Sequence, residues 1–257
     1  MDLLAQNAPS VESGERSLIG YLVFALLVLL AAAVGAGAGL LLVYSTDLPQ
    51  VEQLEHYRPS TVTELYDDQS RVIGTFALQR RVVATYDDYP EVLRNALVSI
   101  EDKDFYAHSG INFWRIAGAA YRDIESGGKV QGASTLTMQL ARNLFLSPDR
   151  SFHRKIQEAL LAIQMERRFT KPQIFTLYAN QIFLGHGAYG FEAASEYYFG
   201  KPAAALSPQQ ASRLAAILPN PSGWNAARPG PYVRRRTVTI GGRMHQVARD
   251  ALDWCVR

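Results

Sequence analysis

From Leu18 to Tyr44 the chain carries no charged residue, and about 20 consecutive apolar residues suffice to cross a bilayer as a helix. Whatever follows is therefore tethered to a membrane. Arg16 stands just before the run, whereas Asp47, Glu52 and Glu55 follow it with no Lys or Arg before Arg58. By the positive-inside tendency the N-terminus lies in the cytoplasm and the remainder on the extracytoplasmic side of the membrane. Ala31-Ala32-Ala33 and the alternating glycines from Gly35 to Gly39 resemble a signal-peptidase site. The run is longer than the usual apolar region of about 7–15 residues, however, and it resumes at Leu40. The expectation is a cytoplasmic tail over residues 1–17 and an uncleaved single-pass anchor over residues 18–44.

Residues 45–60 read as a polar linker and residues 61–250 as one large domain. The domain opens with alternating, strand-like stretches at Thr61–Tyr66, Arg71–Phe76 and Arg81–Tyr86, a hairpin or three-strand meander. After Pro90 the pattern is almost entirely helical. Asp87-Asp88 before Pro90, Lys171-Pro172 and Pro208 each look like a helix start. Helices are expected through Ile100, Glu166, Ile182, Phe199 and Leu218, with a last one over Arg234–Met244. The aromatic stretch between Gly110 and Val130 reads as core packing or as an interfacial membrane-touching segment. With a net charge of +2 and one cysteine, Cys255, the chain gives no global argument for nucleic acid and excludes a multi-cysteine metal site.

Three places carry chemistry. At Gly132-Ala-Ser134-Thr135, hydroxyls lead into an amphipathic helix ending in Arg142 and Asn143. Ser134 or Thr135 caps it, and backbone N–H groups, hydroxyls and the positive helix terminus make an anion-binding corner. Glu101 directly follows apolar Ile100 at the negative end of its helix. Partial burial and the dipole both disfavour the ionised carboxylate there, as a general base requires. Glu158 lies on a helix apolar nearly all round, one turn after Arg154 and Lys155. It reads either as half of a structural ion pair or as an acid in a basic site beside an anionic ligand. No two of the five histidines stand at i, i+4, so a zinc site is not expected. Gly185-His-Gly-Ala-Tyr-Gly190 follows a helix rather than a strand and reads as a glycine-rich turn. Two carboxylates flanking an anion corner, on an exported and tethered domain, suit glycosyl transfer from a phosphorylated, lipid-bound sugar.

Four ordered motifs resemble those of the family 51 peptidoglycan glycosyltransferases. They are Glu101-Asp102-x-x-Phe105-x-x-His108-x-Gly110, Gly132-x-Ser134-Thr135-x-Thr137-x-Gln139-x-x-Arg142-Asn143, Arg154-Lys155-x-x-Glu158 and Tyr178-x-Asn180. Some segments look like class A penicillin-binding proteins and others like monofunctional transglycosylases. The only Ser-x-x-Lys, Ser126-Gly-Gly-Lys129, has no Lys-Thr-Gly downstream and reads as a loop rather than a transpeptidase motif.

The resemblance implies a mainly α, lysozyme-like two-lobed domain that polymerises lipid II into a growing glycan strand, with inversion and release of undecaprenyl pyrophosphate. Glu101 would be the base, and Glu158 would support the donor site, with a divalent cation (Mg or Mn) nearby. Ser134, Gln139, Arg142, Asn143, Arg150 and Lys155 would line the pyrophosphate site. Asp102, Phe105, His108, Gly110, Gly132, Thr135, Thr137, Arg154 and Asn180 would support it. Transpeptidases and other cell-wall synthesis proteins would be partners. Met138, Arg142, Gln157, Thr176 and Ala179 depart from the family pattern, which bears on donor affinity. A lytic glycan-cleaving enzyme and an inactive anchored scaffold are the alternatives.

Overall fold

The computed structural model describes residues 11–46, 48–56, 63–76, 80–126, 132–147, 149 and 151–255. Arg150, most of the Ser126–Lys129 stretch and much of the expected linker lie outside them. The chain divides into two units, residues 1–48 and 49–257. In the first, α1 (Val11–Thr46) contains a 20-residue segment, Gly20–Gly39, of mean hydropathy 2.4. At 1.5 Å per residue that segment is about 30 Å long, enough to span a bilayer core.

The second unit begins with a 3-10 turn, Val51–His56, where a polar linker was expected. Val51 and Leu54 are buried, the turn packs on a later helix, and Glu52 pairs with Arg168 at 3.1 Å. An antiparallel hairpin follows, β1 (Thr63–Tyr66) and β2 (Val72–Phe76). Its turn is built on Asp67, whose carboxylate accepts from the Gln69 and Arg71 amides at 2.9 and 2.7 Å. The third expected strand is corrected. Only β3 (Arg80–Arg81) forms, and it pairs in parallel with β4 (Ala188–Tyr189), far along the chain. Beyond it, the Ala84 N–H and C=O bond to the Asn180 side chain at 3.0 and 2.8 Å, so a side-chain amide replaces a strand partner.

The rest is helical: α2 (Glu91–Glu101), α3 (Phe113–Ser126), α4 (Leu136–Phe145), α5 (Phe152–Arg168), α6 (Lys171–Gln181), α7 (Phe191–Phe199), α8 (Pro208–Ile217) and α9 (Pro231–Cys255). Local chemistry sets most of the boundaries. Thr170 with Gln173 and Ser207 with Gln210 form capping boxes at α6 and α8, each with a first-turn proline. Thr135, not Ser134, caps α4 by accepting from Met138 N at 3.2 Å. The final helix runs well past Met244 because Ile240, Met244 and Val247 continue its buried stripe.

Two helical groups result. In one, α2, α8 and α9 pack mutually; in the other, α4 packs on α5 and α6. The core reading of the aromatic stretch is overturned, since Phe113, Trp114 and Tyr121 on α3 are 73%, 89% and 68% exposed. On α5 the buried face is Glu158, Leu161, Ala162 and Met165. Ile156, Leu160 and Ile163 are half-buried, so the helix is not buried all round as its apolar pattern suggests.

The loop after α2 is pinned at Gly110, whose φ of +94° is one that L side chains rarely adopt. A Cβ there would stand 2.7 Å from the Ala162 carbonyl oxygen on α5. Gly110→Ala therefore combines left-handed strain with a backbone clash. It should lower stability by about 3 kcal/mol, a fall in Tm of roughly 6–12 °C for a domain of this size. A thermal melt of the full chain in detergent tests this, and an unchanged midpoint contradicts the close approach.

Candidate active site

A groove of about 920 Å³ opens between the two helical groups. Glu101, the last residue of α2, stands in it, 16% exposed. It is partly buried, at the C-terminal end of its helix, and its neighbours are polar. Gln139 Nε2 on α4 donates to one carboxylate oxygen at 2.9 Å, and Arg236 Nη2 on α9 lies 3.7 Å from the other. The Gln139 amide is oriented in turn by the fully buried Tyr178, whose hydroxyl donates to Gln139 Oε1 at 3.1 Å. Burial, reinforced by the charge of Glu101, pushes the Tyr178 phenol well above its usual range, so it remains a donor. Gln139, expected among the pyrophosphate ligands, lines the groove and here bonds to the carboxylate.

The residue after the base anchors the site. Asp102 is fully buried, and its carboxylate accepts three hydrogen bonds, from Arg115 Nη1 at 2.8 Å, His108 Nε2 at 2.9 Å and the Leu136 amide in the first turn of α4 at 2.9 Å. Its own helix ends there, where Asp102 N donates to Val98 O. The Gly110 amide donates to His108 Nδ1 at 3.2 Å, so the ring proton sits on Nε2, facing Asp102. Thr135 Oγ1 donates to Gly110 O at 2.6 Å. Lys171 Nζ donates to His108 O and Glu166 Oε1 at 2.6 and 2.7 Å and lies 4.5 Å above the Phe105 ring. Thr137 Oγ1 also donates to Glu166 Oε1, at 2.6 Å. Burial pushes the Lys171 ammonium pKa down, against the pull of Glu166. Asn180 holds Ala84 and Tyr89, outside the groove.

Across the groove from Glu101 lie Ser134, Arg142, Asn143 and Arg154. Glu158 lies beneath them, 0% exposed and not part of the lining. Lys155 Nζ and Arg154 Nε meet its two oxygens at 2.5 and 3.2 Å, so both candidate partners are used. Lys155 Nζ also donates to Ser134 Oγ at 2.7 Å. Buried Glu158 thereby holds two cations under the anion corner rather than facing a ligand itself. Met138 is buried, and the Thr176 hydroxyl donates to Pro172 O at 2.8 Å; neither departure lines the groove.

The lining residues not anticipated as site residues include Arg115, Tyr232, Arg236 and Arg243. Three of them sit at i, i+4 and i+11 on α9, one helical face, so the 3.6-residue period would have grouped them. Arg236 Nε is buried without a hydrogen-bond partner among the described residues.

A carboxylate set among arginines in a mainly α domain forms a candidate site for anionic ligands. The chain belongs to the transglycosylase family, that of the peptidoglycan glycosyltransferases, whose model, described as Transglycosylase, matches residues 69–245. It is 42% identical to penicillin-binding protein 1A of Neisseria flavescens over 192 residues, 75% of this chain and 24% of that protein. Penicillin-binding protein 1A of Aquifex aeolicus is also 42% identical, over 214 residues, 83% of this chain and 29% of that one. The chain thus spans about a quarter of the length of these relatives. A crystal structure of penicillin-binding protein 1A from Haemophilus influenzae is similar over 73% of this chain and 18% of that one, at 20% identity and a TM-score of 0.37.

Removing the charge of Glu158 leaves Arg154 and Lys155 facing a neutral buried amide. Because Lys155 is partly solvated, Glu158→Gln should cost about 2 kcal/mol, less than a fully buried pair. A urea titration reads this as a lower midpoint with unchanged slope. An unshifted midpoint contradicts the role assigned to Glu158.

Proposed function

We propose that the chain is a membrane-anchored glycosyltransferase that polymerises lipid II into glycan strands outside the cytoplasmic membrane. Glu101 takes the proton of the acceptor's 4-hydroxyl, the freed oxygen attacks the anomeric carbon of the donor, and undecaprenyl pyrophosphate leaves. A single displacement inverts that carbon. The observation that carries this is the pairing of one groove carboxylate with a facing wall of cations. That wall suits a pyrophosphate leaving group. Ser134, Arg142, Asn143 and Arg154, with Lys155 behind Ser134, take the developing charge, and Arg150 belongs to the same basic segment. Gln139 and Arg236 orient Glu101. The charge pattern around residues 18–44 supports placing the domain on the outer side. The exposed aromatic face of α3 suits contact with the lipid. Transpeptidases that cross-link the product are the partners this product chemistry calls for.

The expected divalent cation does not fit the protein's own groups. Both oxygens of buried Glu158 already face cations: Oε2 accepts from Lys155 Nζ at 2.5 Å, and Oε1 lies 3.2 Å from Arg154 Nε without hydrogen-bond geometry. Among the described residues no cluster of three His, Cys, Asp or Glu is placed to hold a metal ion. Charge neutralisation is therefore assigned to the arginines, and no step is routed through a metal.

Incubating the purified protein with labelled lipid II, and separately with finished glycan, tests the proposal. Long polymer from lipid II that drops by on the order of 1,000-fold in Glu101→Gln is the expected result. Shortening of finished glycan would establish a lytic enzyme instead, and no change in either substrate would leave a scaffold. In the same assay a chelator should change the initial rate by less than about threefold, since the cations are arginine and lysine. A loss of more than about tenfold would overturn the assignment of neutralisation to them.

A further inference from the structure

Arg115 has no part in the chemistry above, yet three parts of the site meet at its guanidinium. It lies in the first turn of α3, where its amide donates to Asn112 Oδ1 at 3.0 Å. Asn112 is itself held by Asp104 Oδ2 at 2.9 Å. From that fixed base, Arg115 Nη1 donates to Asp102 Oδ1 at 2.8 Å. Both terminal nitrogens reach the carbonyl of Glu101, at 3.4 and 3.3 Å, and Nη2 donates to Gly132 O at 2.6 Å. The first two acceptors belong to the end of α2 that carries the base. The third opens the segment leading through Ser134 and Thr135 into α4.

Gly132 matters most here. Its φ is +127°, and a Cβ built on it would meet nothing within 4 Å. No group packs where a side chain would stand, and the Arg115 hydrogen bond to its carbonyl is what ties this backbone to α3. The Asp102 carboxylate, an acceptor, cannot serve that carbonyl, and His108 Nε2 donates to Asp102 instead. A planar guanidinium presents its donors in a rigid fork that can span these acceptors, whereas a lysine offers one compact charge.

We propose that Arg115 is a positioning residue that fixes the main chain of Glu101 against the Gly132–Thr135 segment. It keeps the base and the anion-binding end of α4 in register. Because it stands on α3 beside exposed Phe113 and Trp114, it also ties that register to the helix bearing the apolar face. A displacement of about 1 Å between base and leaving-group site is enough to cost on the order of 100-fold in rate. Arg115 acts through that separation and contacts neither reacting atom.

The kinetic arm of the test rests on the glycosyltransferase proposal; the exchange arm does not. Full-length Arg115→Lys and Arg115→Met in detergent are compared with wild type for kcat and KM on lipid II. Amide hydrogen exchange is followed over residues 99–103 and 132–137. Arg115→Lys retains a charge opposite Asp102 and so guards against misfolding. Both variants are expected to lose on the order of 10- to 100-fold in kcat with KM within about threefold. Exchange should quicken at 132–137 and at the end of α2 while α8 stays as protected as in wild type. Wild-type kcat in both variants overturns the proposal. So does a raised KM at unchanged kcat, which would make Arg115 a substrate contact. Unchanged exchange in both variants overturns it whether or not the wild type polymerises lipid II. A wild type that leaves lipid II untouched instead refutes the glycosyltransferase proposal.

Discussion

The site depends on one buried carboxylate. Asp102 is fully inaccessible, and an unpaired charge there would carry a penalty of several kcal/mol. That penalty turns its donors into constraints. Arg115, His108 and the first amide of α4 must all converge on it, from α3, from the loop after α2 and from the far side of the groove. Glu101 is its chain neighbour, so whatever fixes Asp102 also fixes where the base emerges. The short connection to Gly110, pressed against α5 by its missing Cβ, then locks the loop onto the Thr135 cap. Base and anion corner are thereby set by one network rather than by two independent packings.

The cations around that network divide by what holds them. Arg154 and Lys155 are gathered by a second buried carboxylate, Glu158, and lie on the α5 side of Ser134. Arg236 and Arg243 come from α9, packed with α2 and α8 in the other helical group. Such a groove carries far more positive than negative charge, and part of that charge is desolvated. An anionic ligand relieves both costs at once, which makes pyrophosphate a natural occupant and a bare cation a poor one.

Sequence periodicity made much of the fold legible, because the helix starts are written locally. Pro90, Thr170-Lys-Pro172 and Ser207-Pro208 each combine a first-turn proline or a cap with a following apolar stripe. The false third strand had the right local pattern. Its partner, Asn180, is a side chain nearly a hundred residues away, which no local pattern reports. The four motifs located Glu101, Asp102 and the α4 corner, but they do not report how each side chain is held. Glu158 is spaced as an acid near a ligand, but its depth beneath Arg154 and Lys155 depends on tertiary packing. Gln139 sits in the anion motif but turns toward the base because Tyr178 orients its amide. Arg115 carries no local signal at all, since its value lies in three acceptors contributed by separate segments.

Asp102→Asn is the most direct test, because it preserves size while placing an NH₂ group against donors on one side. The measurement is the initial rate of lipid II polymerisation by the full-length variant, with its melting curve taken in parallel. The account predicts a cooperative melt at lower temperature and a rate reduced by on the order of 100-fold, since both the base and α4 lose their common anchor. A variant that polymerises at the wild-type rate would contradict it, for the base and the anion corner would then be positioned without Asp102.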